Sequence, residues 1–176
     1  MIRMIIIYGL IAGLIVGVEM FVVTTSLPLE GPWSMVVGYL TMLVALSFVF
    51  IAIKRRRDRD QGGVIRFWPA FGMGLGISFV AGVLYVASWE ATVAYTHMDF
   101  ASIYAQSVIA QAKAAGATGE ALQKVIDQMA QFKLQYANPL YRWPMTFIEI
   151  FPVGVLVSLI SAALLRNSRF MPLRRA

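Results

Sequence analysis

Four stretches of this chain are apolar for long enough to cross a lipid bilayer, at about residues 2–23, 34–53, 67–95 and 144–165. A spanning helix needs roughly 20 predominantly apolar residues. Inside hydrocarbon each backbone N–H and C=O must be satisfied without water, so separate stretches of this kind cross as α-helices. The expected fold is an all-α integral membrane protein, one domain over residues 1–176 with four transmembrane helices. Hydrophobic residues make up 59% and charged residues 14%, against about 45–50% and about 25% in soluble domains. The excess lies in the four stretches.

The first stretch opens like a signal peptide, with Arg3 before an apolar run. The run is too long for an h-region and no A-x-A-like cleavage site follows, so it reads as a retained helix. Thr24–Trp33, with Pro28, Gly31 and Pro32, reads as a turn. Lys54 to Gly63 reads as a basic hairpin connection, and Pro144 suits the first turn of the last helix. Cysteine is absent, which excludes a disulfide framework, a thiolate metal site and a thiol nucleophile.

A net charge of +6 would suggest nucleic acid in a soluble chain, but here topology accounts for it, and no nucleic-acid partner is expected. Eleven of the 15 Lys and Arg residues fall at the N-terminus, in the loop at 54–66 and in the tail: Arg3, Lys54, Arg55, Arg56, Arg57, Arg59, Arg66, Arg166, Arg169, Arg174 and Arg175. Lys113, Lys124, Lys133 and Arg142 occupy the other side. Lys/Arg excess marks cytoplasmic segments. Both termini are therefore expected in the cytoplasm, with residues 98–138 outside a bacterial inner membrane.

That outer segment reads as a helical hairpin over about 99–136. Phe100, Ile103, Tyr104 and Val108 recur at helical spacing, as do Leu122, Val125, Ile126, Met129, Phe132 and Tyr136. Asp99 and Thr118 suit N-caps and Gly116 a C-cap. The two apolar stripes are expected to pack on each other, roofing the bundle.

Small residues recur every four positions at Gly9, Gly13 and Gly17, and again at Gly72 and Gly76. Such stripes let helix backbones approach closely, within the bundle or in an oligomer. Trp33, Trp89, Tyr95, Tyr141 and Trp143 form an aromatic belt near the outer helix ends, with Arg142 snorkelling beside it.

The candidate site is carried by Glu19, Glu90 and Glu149, one in or at the edge of each of three apolar stretches. An acidic residue in mid-membrane costs roughly 2.5–3.5 kcal/mol and usually marks a pathway or site. Counting from the helix ends puts Glu19 and Glu149 at similar depth, with Glu90 joining them if the third helix is long. Gly72 lies eighteen residues before Glu90, on the same helical face, which would turn Glu90 toward the packed side. His97 follows one heptad later, and Thr41 offers a hydroxyl at similar depth. Pro152 loosens the carbonyl of Ile148 beside Glu149. Arg142 is a candidate counter-charge.

Carboxylates crowded in low dielectric cannot all ionise, which suits proton binding. With His97 they would suit Mg²⁺, Ca²⁺ or Mn²⁺, and a cationic organic ligand is a third option. The bland reading is glutamates hydrogen-bonded across helices as structural glue. No nucleophile–base grouping, phosphate loop or dinucleotide fingerprint is present.

The last helix, Phe151-Pro152-Val153-Gly154-Val155-Leu156-Val157-Ser158 and on to Arg166, resembles the closing helix of a family of small bacterial inner-membrane proteins, domain of unknown function 4199 (DUF4199). Tyr8 to Leu14 and Phe67 to Gly76 agree with it. The resemblance implies four spanning helices with an extracytoplasmic segment between the third and fourth, and it brings no activity. The expected role is non-enzymatic: binding of a proton, cation or small ligand at an outer-leaflet carboxylate cluster, related to transport. The alternative is an assembly subunit that binds partner membrane proteins, or copies of itself, through Gly-rich faces and the outer hairpin.

Overall fold

In the computed structural model, which describes residues 1–26 and 32–172, six α-helices follow one another. They are α1 (Ile2–Ser26), α2 (Pro32–Asp60), α3 (Phe67–Thr96), α4 (Phe100–Ala114), α5 (Gly119–Tyr136) and α6 (Pro139–Leu165). No strand occurs among the described residues. α1, α3, α6 and the Val36–Asp60 part of α2 are long and apolar enough to cross a membrane. Pro28, Gly31, Arg174, Arg175 and the side chain of Trp33 lie outside the described residues. The chain divides into two compact units, Met1–Glu90 with Phe147–Ala176, and Ala91–Thr146.

Glycine sets the register of the first unit. Gly9 meets Val80, Gly13 meets Leu84 and Gly17 meets Ser88. The α3 partner is always 71 positions further on, so α1 and α3 run parallel. A Cβ on Gly9 or Gly13 would come within 2.6 Å of the facing Cβ, closer than two carbons can sit. Between α3 and α6 the small residues interlock. Gly74 faces Ser158 and Gly154 faces Ser78, so a step forward on one helix is a step back on the other and the two run antiparallel. The two serine Oγ atoms are 3.4 Å apart, and Ser158 Oγ also donates to the Gly154 carbonyl at 2.7 Å. These buried hydroxyls find partners in the seam itself, as apolar surroundings require.

α2 packs on α1, with Arg55 donating to the Tyr8 hydroxyl at 3.2 Å. Val16, Leu46, Val49, Ile53, Met73, Ile77, Ile150 and Leu165 fill the core between the four helices. Gly72, expected on a packed face, opens onto empty space; the packed glycines of α3 are Gly74, Gly76 and Gly82. The four-residue spacing was real, but the packed face is centred elsewhere on the helix.

The basic run is not a loop. α2 continues through it to Asp60, with Lys54 paired to Asp58 at 2.5 Å. Lys and Arg are good helix formers, and their charges suit a helix C-terminus. The turn follows at Gly62 and Gly63, both with positive φ, and Gly63 N–H closes onto the Arg57 carbonyl at 2.9 Å. α6 likewise starts at Pro139 rather than Pro144. Asn138 Oδ1 accepts from Leu140 N–H at 3.0 Å, an N-cap with proline in the first turn. The helix then runs unbroken through Pro144 and Pro152.

The second unit contains a hairpin of α4 and α5 packed on each other. Asp99 caps α4, accepting from Ser102 N–H at 3.0 Å and from the Ser102 hydroxyl. These bonds hold its carboxyl below the usual carboxylate range. At the other end Gly116 takes φ +87°, with Gly116 N–H bonded to Lys113 and Ala117 N–H to Ala112. That double closure is a Schellman ending, which favours glycine. Thr118 occupies the N-cap position of α5 without a side-chain cap bond. The buried centre of α4 is Ala101 and Ala105, while Ile103 is 55% exposed. Phe100, Tyr104, Phe132 and Tyr136 form a chain of ring contacts 5.3–6.0 Å apart between the two helices.

Candidate functional site

Glu149 accepts a hydrogen bond from the Tyr85 hydroxyl at 3.0 Å, joining α6 to α3. Tyr85 is 7% exposed, whereas Glu149 is exposed on the flank of the bundle. The pair thus runs from the packed interior to its outer surface. Neither position is accidental. Tyr85 continues the inward face of α3 that carries Ile77 and Ala81, eight and four residues earlier.

Glu19 lies on the inward stripe of α1. It is within about 20° of both Tyr8 and Ala12 by helical phase, and those two residues are buried. It is half-buried itself.

Glu90 stands apart from that geometry. The α1–α3 register puts it level with Glu19, yet it points elsewhere. It is nine residues from Ala81, about 180° round the helix, and Ala81 is fully buried. Sharing a face with Gly72 thus turns Glu90 from the α3 face that buries Ala81, and Glu90 is itself half-buried. The α3–α6 register puts Glu149 level with Val83, about seven residues below the Glu19 level, or roughly 10 Å at 1.5 Å per residue.

The other candidates have local explanations. His97 is exposed and takes φ +52° in the turn between α3 and α4, a conformation that histidine enters more readily than most side chains. Arg142 donates to the Tyr136 carbonyl at 3.2 Å and lies over the Tyr136 ring at 5.6 Å. Thr41 is half-buried on α2. Among the described residues no three His, Asp or Glu gather into a group that could hold a metal ion. The divalent-cation set of the three glutamates with His97 is therefore not formed.

Sequence reasoning missed Tyr85, because a tyrosine in an apolar stretch carries no charge to mark it. It also missed the Gly74/Ser78 and Gly154/Ser158 seam. Its signal was present as the same small-x-x-x-small spacing in both helices.

Membrane-length helices with acidic side chains in their apolar spans define a small helical membrane protein. The chain belongs to the family described as Protein of unknown function (DUF4199), which matches residues 7–167, nearly its whole length. No curated protein and no solved structure matches it.

Proposed function

We propose that this protein binds a proton or a small cation at Glu149, Tyr85 and Glu19, in a non-enzymatic role related to transport. The observation that carries the reading is the Tyr85–Glu149 hydrogen bond, with Glu19 half-buried on the inward stripe of α1. A carboxylate kept within an apolar span needs a proton or a counter-charge. Tyr85 supplies one hydrogen bond but no charge, which leaves that need open. Four helices make a thin bundle, so a pathway would be completed by an oligomer. The Lys/Arg distribution supports a cytoplasmic location for both termini and a bacterial inner membrane as the setting.

The test is thermal unfolding of the purified protein from mildly acidic to mildly alkaline pH, with and without added sodium or a small organic ammonium ion. Wild type should respond to pH or cation, and Glu149→Gln and Glu19→Gln should lose part of that response. Identical profiles for all three proteins would overturn the proposal.

One observation favours a second reading. Glu149 is exposed, and an acidic group on the outer surface of a membrane bundle suits a cationic or hydrogen-bonding group from another membrane protein or a second copy. In that case cross-linking in mild detergent should capture an oligomer or partner that Glu149→Gln loses. A solitary wild-type protein would argue against it.

A further inference from the structure

The basic end of α2 holds a group that its neighbours do not satisfy. Buried residues Ala45, Val49 and Ala52 descend one face of α2 at four- and three-residue steps, and Arg56 is the next position on that stripe. Its phase places it within about 20° of Val49, on the inward side of the helix. Arginines at the end of a spanning helix ordinarily reach outward to solvent. Arg56 is half-buried instead, and its Nη1 is fully buried with no hydrogen-bond partner among the described residues.

The adjacent arginines are already engaged. Arg55 donates to Tyr8 at 3.2 Å. Arg57 is wholly buried and donates to Asp58 at 2.8 Å and to the carbonyls of Phe170 and Met171 at 2.9 and 2.6 Å. Asp58 is shared between Arg57 and Lys54, so it is not left for Arg56. From Lys54 to Asp60 the helix carries five cations against two carboxylates. A buried guanidinium donor without an acceptor costs free energy, and the surplus charge here is positive.

We propose that Arg56 forms part of a binding site for the phosphate of an anionic phospholipid headgroup at the basic end of the bundle. Depth selects lipid over free phosphate. Arg56 is twenty residues beyond Val36, the first residue of the apolar span. At 1.5 Å per residue that is about 30 Å, the thickness of the hydrocarbon core. The guanidinium is thus carried to the level of the headgroup phosphates, whose oxygens match its planar donors. The excess of cations favours a headgroup with net negative charge over a zwitterionic one.

The experiment offers the purified protein an equimolar mixture of phosphatidylglycerol and phosphatidylcholine, with native mass spectrometry reading retained lipid. Wild type should prefer phosphatidylglycerol on the order of fivefold, the effect of one basic residue near a charged headgroup. Arg56→Gln should lose most of that preference, and Arg59→Gln, at an exposed position of the same run, should keep it. Equal retention of both lipids by wild type overturns the site. Equal loss in both variants overturns the role of Arg56 in favour of diffuse charge. Thermal unfolding in neutral detergent adds the second arm, in which phosphatidylglycerol raises the melting temperature and inorganic phosphate does not. A matching rise with inorganic phosphate overturns the lipid assignment. Because wild type alone decides the preference, poor folding of Arg56→Gln leaves the proposal open to refutation.

Discussion

At the scale of single residues, a hydrogen bond and a helical phase separate the three glutamates. Tyr85→Phe removes the phenol that holds Glu149 and should cost about 0.6 kcal/mol, and at most about 1.7 kcal/mol, the range of interhelical hydrogen bonds in membranes. Equilibrium unfolding in mixed micelles reads this directly. Asp99 gives the pH prediction. Bonds to Ser102 lower its carboxyl's pKa in the folded state, so its capping contribution is present above the ordinary carboxylate value and is lost as pH falls through the lower folded value. Hydrogen exchange at the start of α4 should quicken on acidification, and Asp99→Ala should exchange fast at every pH. Charge made Glu19, Glu90 and Glu149 conspicuous in an apolar sequence, and the arithmetic linking Glu90 to Gly72 was sound. What the sequence could not supply was the zero of the rotation, because a glycine looks the same whether it faces a neighbouring helix or open space.

Among the helices, glycines divide into those that admit a neighbour and those that do not. Gly13→Leu should abolish the α1–α3 contact, since even a Cβ there collides with Leu84; overpacking of this kind typically costs about 1–3 kcal/mol or more. Gly72→Ala should be neutral or stabilising by up to about 1 kcal/mol, because the site is open and alanine is the better helix former. Comparing the two melting temperatures checks the assignment. Long apolar helices were readable from composition because hydrocarbon demands them. Their ends were less so: the polybasic run of α2 and the Asn138–Pro139 start of α6 are set by ion pairing and capping, not by hydropathy. The burial of the α4 alanines was hidden for a similar reason, since larger residues beside them dominate the apolar pattern while Ala101 and Ala105 are the ones most buried.

For the molecule as a whole, the basic end holds two chain segments together. Arg57 ties the segment after α6 to α2 through two carbonyls, and Phe170 packs edge-on against Phe50 with ring centres 6.4 Å apart. Arg57→Ala should release that segment and speed its limited proteolysis, since bonds to charged groups are worth about 1.5–3 kcal/mol each. Unchanged cleavage would show that the tail is held by packing alone. The interlocked serines and glycines have a different consequence, for motion. Each serine of the α3–α6 seam sits in the notch of the opposite glycine, and the notches recur only every four residues. Sliding α6 along α3 would lift both serines onto backbone or larger side chains before the next notch, about 6 Å away, came into reach. The seam therefore acts as a detent, and any working stroke of this protein would move α3 and α6 together as a single piece.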